Sequence, residues 1–548
     1  MTYNSDTFDL LEQPWIQAVD TAAQLNVWSL RDVFGHAHEL VAVVGELPTQ
    51  SFAILRLLLA ILRRSLAARP GGAAEIWNDL WQAPTLPTRE IGSYLDTYAD
   101  RFGLFDPAQP FYQVADLRSE KDAVSGLDRL IADVPNGEKY FTTRAGASID
   151  RIDFAEAARW LVHAQAFDPS GIKTGAVGDP RMKNGKGYPI GVAWAGSLGG
   201  VYVEGATLRE TLLLNLNLLD IHEQPYPEHD LPAWERAPDR AHPRDAGPTG
   251  PADLCTWQSR RVRLVRDGGA VTGVVLCNGD ALAPFNQQLL EPMTGWRYST
   301  EQSKKADSPR HYPRTHDPAR ALWRGFTALL REVASGSATD GRGIAPGVME
   351  WVRYLIDEEV LVPTHPLRLH AVGMEYINNL SVIGEIVDDT LGFRAALLAR
   401  DPALRTCAIN AVEVAEGAVN AVGSLAGNLA EAAGATNDPV TAARARPREL
   451  AYAALEGPYR RWLAALEPGA TADGYDRYSQ EWQNMVRAVI EPLGRQLVSA
   501  AGMPALVGRE VRGRYVDSAL ASIWFRAALA KLLPAAYPKP STGKGQAA

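Results

Sequence analysis

Cysteine is scarce in this chain. Cys255, Cys277 and Cys407 are far apart and odd in number, and no CxxC pair occurs, which excludes a disulfide framework and a cysteine-rich zinc site. Long hydrophobic runs are also lacking. The most apolar stretch, ILRLLLAIL at 54–62, is broken by Arg56 and followed by Arg63 and Arg64, too short and too charged to span a bilayer. The opening MTYNSDTFDLLEQ has no basic segment leading into an apolar one, so no signal peptide and a cytoplasmic location are expected. Positive charge is in deficit as well. A formal net charge of −9 argues against a protein that coats nucleic acid by bulk charge, but it leaves room for contact through one local patch.

Catalytic signatures are missing too. GKGYPIG at 185–191 has its third glycine one residue late for a dinucleotide loop, and neither Gly185–Lys186 nor Gly543–Lys544 is followed by Ser or Thr. There is no GxSxG and no HExxH. His36 and His38 could face one way on a strand, yet no third ligand lies nearby, so they read as solvated loop histidines. The best remaining enzymatic reading is a metal phosphohydrolase built on the doublets His229–Asp230 and His316–Asp317. Both sit in proline-rich loops, whereas that chemistry grows from rigid helices. No catalytic residue, no metal and no cofactor is therefore expected.

What is present suits a soluble protein of more than one domain: 548 residues, 46% of them hydrophobic and 22% charged. Short strands are expected within 10–20 and in NVWSL and ELVAVV. A helix follows from Thr49 to Ala68, with Thr49 or Ser51 available to cap it. GGAAEIWNDLW and REIGSYLDTYADRF read as two more amphipathic helices. Residues 260–280 alternate β-branched side chains around Asp267–Gly268–Gly269, the pattern of a tight hairpin. After about residue 400, Ala, Leu, Glu and Arg dominate, and four long helical patterns run over 402–433, 438–467, 474–501 and 505–533. Short Gly/Pro/Asp turns between them predict an up-down four-helix bundle. The expected class is α+β: a mixed α/β domain over 1–400, the bundle over 401–534, and a disordered tail over 535–548.

Two stretches suit nucleic acid. Residues 170–200 are crowded with glycine and carry Lys173, Arg181, Lys183 and Lys186 against the single acid Asp179. Glycine lets backbone N–H groups approach a groove or phosphate, and the cations attract phosphate. Residues 303–325 form a second, proline-spaced basic run with Tyr312 as a stacking face, although a solvated linker explains that run more simply. ARARPREL at 443–450 reads as a solvated helix face.

The order of these pieces resembles the large-subunit (CasA) family of the type I-E CRISPR Cascade complex over essentially the whole chain. LLEQPWIQ, DPAQPFYQ (106–113), SGIKTG, LGGVYVEGATLRETLLLNL (198–216), EYINNLSVIGEI and the terminal bundle carry the likeness by their order and spacing. The resemblance implies a non-catalytic subunit that holds the 5′ handle of the guide RNA. It also implies reading of the protospacer-adjacent motif (PAM) of double-stranded DNA from the minor groove, help in strand separation, and docking of a separate helicase–nuclease. Partners would be guide RNA, duplex DNA and the other Cascade subunits, with no membrane, in antiviral defence.

Carried onto this chain, the family's glycine loop falls on Asp168, Pro169, Ser170 and Gly171, only the last being glycine. The guide-handle loop falls on Tyr140, Phe141, Thr142, Thr143 and Arg144. The wedge falls on Asn378, Asn379 and Leu380, where some members have glutamine in place of the leucine; an apolar side chain can also unstack DNA. The family's lysine finger falls near Gln287, which is not a lysine, and the zinc-binding cysteines of some members are missing. Without the resemblance, Tyr140 and Phe141 read as core aromatics and Asn378–Asn379 as an ordinary turn. A purely structural helical adaptor that meets only proteins is the other rival.

Overall fold

The computed structural model describes residues 8–134, 142, 144, 147–335, 343–399, 402–469 and 472–537. The chain opens with three short antiparallel strands, Ile16–Asp20, Leu25–Trp28 and Leu40–Val43, the first in the centre. The helix Pro48–Ser65 follows. Its start differs from the expectation: Leu47 is the N-cap and makes no side-chain cap, while Pro48 at the first turn supplies a preset φ and lacks the N–H that would need one. Thr49 is instead buried against His163, Oγ1 to Nε2 at 2.9 Å, and the Ser51 hydroxyl accepts from Gly45 N–H at 2.7 Å. The helix is buried along most of its length. Arg56 can lie inside because its guanidinium grips both oxygens of buried Glu291, at 2.8 and 2.7 Å.

GGAAEIWNDLW and the segment after it form the helices Ala73–Gln82 and Thr88–Thr97. The hairpin expected at 260–280 is Arg260–Asp267 paired with Ala270–Asn278, turning at Gly268, whose φ of +60° suits glycine. A three-stranded antiparallel sheet joins Gly200–Glu204 to Pro366–Ile377, which pairs on its other side with Val382–Arg394. Arg368 stands opposite Glu204 and Val372 opposite Gly200. The second basic run is ordered rather than a linker: it begins within the helix Thr300–Ala306 and contains the strand His311–Pro313. Tyr312 is covered by the Arg297 guanidinium, 5.3 Å above its ring.

The chain divides into two compact units. One holds 1–322, 332–361 and 367–390; the other gathers 323–331, 362–366 and 391–548. The boundary thus falls at 390/391, and the second unit recruits two segments that a division at 400 assigns to the first. The bundle helices are Pro402–Ala433, Asp438–Ala464, Ala472–Ser499 and Ser518–Leu532. The expected fourth helix from 505 is interrupted. Met503–Val507 is a short helix, and Arg509–Val511 pairs with Arg514–Val516 as a small hairpin. Gly508, Arg512 and Gly513 all have positive φ, which a continuing helix forbids. The Asp517 carboxylate then accepts from Leu520 N–H and starts the last helix. Residues 535–537, expected to be disordered, pack on the third helix, with the Arg487 guanidinium 4.1 Å over the Tyr537 ring. No described helix is long and apolar enough to cross a membrane.

Aromatic packing holds the second unit together. Trp482 is buried, lies 5.4 Å from both Tyr459 and Trp462, and donates its indole N–H to the Ala411 carbonyl at 2.7 Å. Trp482→Ala opens a cavity and removes the indole's bond to that helix carbonyl. Urea unfolding of the full chain is expected to show the bundle transition weakened by about 3–5 kcal/mol; a change below 1 kcal/mol would contradict this packing account.

Candidate nucleic-acid interface

The helix Phe154–Phe167 delivers the first part of the site. Asp153 caps it by accepting from Glu156 N–H, and Ala157, Trp160, Leu161 and Phe167 bury it. It ends at Asp168, and the loop it leads into is tied from two directions. From one side comes Arg260, the first residue of the inner hairpin. Its Nε bonds the Asp168 carboxylate, and its Nη2 donates to the carbonyls of Asp168, Pro169 and Gly191 at 3.0–3.1 Å. Lys173 Nζ meets the same carboxylate oxygen at 2.5 Å. Burial alone would raise the Asp168 carboxyl, but Lys173 and Arg260 outweigh it and hold the group below the usual carboxylate range. Burial pulls the Lys173 ammonium below its ordinary value in spite of Asp168.

From the other side comes the tip of the long hairpin, residues 378–381. Tyr376 donates its hydroxyl to the Phe167 carbonyl at 2.6 Å, and Ser170 N–H donates to the Leu380 carbonyl at 2.8 Å. The expected glycine loop and the expected wedge therefore meet. Asn378, Asn379 and Leu380 have φ of +49°, +58° and +65°. Asparagine tolerates this region, but leucine does so only under restraint. The Ser381 hydroxyl, donating to the Asn378 carbonyl at 2.7 Å, helps to close the turn. Leu380 stays 48% exposed, and Ile172 on the loop is 57% exposed. Beside them a cavity of about 290 Å³ is lined by Arg129, Ser170, Gly171, Lys173 and Ser381.

The cations of 170–200 separate into two kinds. Lys173 is consumed by Asp168, and Arg181 by Asp179 (2.9 and 3.0 Å) and the Gly279 carbonyl (2.9 Å). Each sits beside an acid the sequence did not pair it with. Lys183 and Lys186 are exposed. They flank Asn184 and Gly185, both at positive φ, and exchange backbone hydrogen bonds at 3.0 Å. Asn-Gly is a strong two-residue hairpin signal, so this turn was legible. Arg129 and the Asp168–Arg260 tie were not, since nothing local marks them.

Of the guide-handle loop, Tyr140, Phe141 and Thr143 lie outside the described residues. Thr142 hydrogen-bonds Asp133 at 3.4 Å. Arg144 is enclosed by Glu46, Asp133 and Glu156 and lies over the Trp160 ring. Gln287 is half-buried and its carbonyl accepts from Leu290 and Glu291 N–H. The His–Asp doublets serve the fold. Buried Asp230 accepts from Ala252 and Asp253 N–H at 2.8 and 2.9 Å, capping a short helix, and His316 Nε2 bonds the Gly200 carbonyl at 2.9 Å. Among the described residues no cluster of three or more His, Cys, Asp or Glu assembles as a metal requires.

Comparison with known proteins places the fold in a family. The family model for CRISPR-associated protein Cse1 matches residues 9–492. The crystal structure of Thermobifida fusca Cse1 is 45% identical, covers 98% of this chain and all of that one, and superposes with a TM-score of 0.88. A CasA/Cse1 protein of Thermus thermophilus is 29% identical over 336 residues, 59% of this chain; the chain spans 60% of that relative's length. A chain of a solved CRISPR RNA-guided surveillance complex shares the fold at 20% identity and a TM-score of 0.58, covering 90% of this chain and 99% of that one.

The buried tie at Asp168 has a pH signature. Its folded carboxyl lies below the ordinary 3.8, so its stabilising contribution is complete at neutral pH and is lost as pH falls below that value through the folded one. Asp168→Asn strands two buried cations together, and is expected to cost about 3–5 kcal/mol at pH 7. In urea titrations the gap between variant and parent should narrow below pH 3.8; a gap that holds constant down to pH 2 would contradict the assignment.

Proposed function

Since the chain belongs to the CRISPR-associated Cse1 family, we propose that it is the non-catalytic large subunit of an RNA-guided DNA surveillance complex and reads the protospacer-adjacent motif of duplex DNA. The observation that carries this reading is the meeting of loop 168–173 with the tip Asn378–Asn379–Leu380. Half-exposed Gly171 and the tip form one surface with an exposed leucine and an exposed isoleucine, pinned by buried Ser170. A narrow groove accepts such a surface because little side-chain bulk intervenes at Gly171. Leu380 is the wedge that unstacks the first base step. Lys183 and Lys186 meet phosphate. Lys173 and Arg181 hold the loop in shape and do not touch DNA.

The segment 140–144 holds the guide handle, with the Arg144 guanidinium engaged by Glu46, Asp133 and Glu156 rather than by RNA. Guide pairing reads the target sequence, so the protein needs only a short motif. The chain also offers a surface to the other subunits and to a helicase–nuclease, the part of this reading that follows from family resemblance alone.

The assembled complex tests this on duplexes with correct and scrambled motifs. Lys183→Ala with Lys186→Ala is expected to weaken binding evenly across sequences and to flatten the salt slope by about 2. Leu380→Gly should leave initial binding nearly intact while slowing strand opening at the motif by about tenfold, an effect that a premelted target removes. Unchanged motif discrimination and unchanged opening in Leu380→Gly combined with Asn379→Ala would refute the site. Metal-dependent cleavage by the purified chain, abolished in His316→Ala, would refute the non-catalytic reading.

A further inference from the structure

The lysine turn continues into an exposed aromatic side chain. Lys173 and Thr174 pair antiparallel with Gly187 and Lys186, and one step beyond this ladder the same register sets Ile172 opposite Tyr188. Tyr188 is 50% exposed, and its ring meets no other ring and no guanidinium among the described residues. Exposed Lys186, buried Gly187 and exposed Tyr188 alternate as an extended segment requires, so Lys186 and Tyr188 share the outward face. Tyr188 is also held still. Its carbonyl accepts from the Asn278 side-chain amide at 2.6 Å, and a Cβ on Gly187 would meet the same amide nitrogen at 3.0 Å. Pro189 restricts the residue before it to extended backbone. The tip adjoins this segment from two directions: Ser170 N–H donates to the Leu380 carbonyl two residues before Ile172, and Ile190, two residues after Tyr188, lines a cavity with Leu380. Exposed apolar side chains thus run from Leu380 through Ile172 to Tyr188, with Lys186 beyond. Glu120 lies against Gly185, yet Lys183 and Lys186 form no ion pair among the described residues.

We propose that Tyr188, with Ile172 beside it, is the platform on which the strand displaced at the wedge stacks its first free base, and that Lys186 holds the adjoining phosphate. The proposal rests on the DNA-reading role given above. A row of large apolar side chains kept in water marks an interaction surface, and the lysines beside it favour a single strand of DNA, apolar on its base faces and anionic along its backbone, over an apolar protein face. A base unstacked by Leu380 loses its neighbours and its pairing, and an exposed aromatic ring restores stacking without regard to sequence. Because Asn278 and Pro189 already fix the segment, little freedom is lost on contact. Held there, the base is kept from its partner, so opening of the first step becomes hard to reverse.

The test uses the assembled complex and motif-bearing duplexes whose displaced strand carries one abasic site, moved position by position away from the motif. At one position the missing base should weaken binding by the parent about tenfold, the scale of one base stacked on an aromatic side chain. Tyr188→Ala should show the same tenfold loss on intact targets and lose nothing further at that abasic position, whereas Tyr188→Phe keeps the parent's behaviour. On targets whose displaced strand stops at the motif, Tyr188→Ala and the parent should bind alike. Losses that simply add, an equal loss on truncated targets, or a parent with no sensitive position overturns the platform and leaves the DNA-reading role standing. Failure of the Tyr188→Ala chain to join the complex overturns it too, since the ring then meets a protein subunit. Absence of motif-dependent binding by the parent complex overturns the DNA-reading role and this inference with it.

Discussion

One buried carboxylate with two cations organises the first unit's site. Asp168 closes a helix, Lys173 stands five residues on, and Arg260 comes from 92 residues further along the chain. Burying three charged groups gives little net stability, because desolvation consumes most of the Coulombic gain. Its effect is positional. The Arg260 fork reaches Asp168, Pro169 and Gly191 at once, so the loop has no alternative course without leaving two cations together out of water. The fixed loop then offers Ser170 N–H to the Leu380 carbonyl, and the hairpin tip inherits its place from that bond.

The tip carries the strain that such a framework permits. Three consecutive non-glycine residues in the left-handed region cost of order 1–3 kcal/mol each when unsupported, and leucine has no side-chain hydrogen bond to offset it. The Ser381 hydroxyl and the Ser170 bond hold the turn from its two ends. An apolar side chain kept in water on a strained turn contributes nothing to the fold. Leu380 lines one cavity, and its neighbour Ser381 lines another with Arg129 and Lys173.

Periodicity and turn chemistry made much of the fold legible. The hairpin at 260–280, the helices after 72 and 87 and the first three bundle helices follow from local signals, and so does the Asn184–Gly185 turn. Errors arose where a tertiary partner overrides local preference. Thr49 looks like a cap but faces His163 across the core, and Pro48 makes a cap unnecessary. The helical pattern at 505–517 is broken by glycines whose φ becomes visible only in three dimensions. At the site, the order of segments singled out a loop and a tip that meet through Ser170 and Leu380, but nothing in it pairs Lys173 with Asp168 or Arg181 with Asp179. A sequence shows that a cation exists and not which distant carboxylate or carbonyl claims it.

That distinction also explains how an acidic chain presents a basic surface. Arg56, Arg159, Arg260 and Arg261 are all buried, because a planar guanidinium with five donors can satisfy several carbonyls and a carboxylate together. Lysine is a compact, strongly hydrated charge that is costly to bury. Lys183 and Lys186 accordingly stay in water at a turn that juts from the loop. The interior cations set the shape, and the few exterior ones set the charge at the surface. A net charge of −9 therefore says little about this face, where two lysines stay in water although the Glu120 carboxylate lies against Gly185 between them.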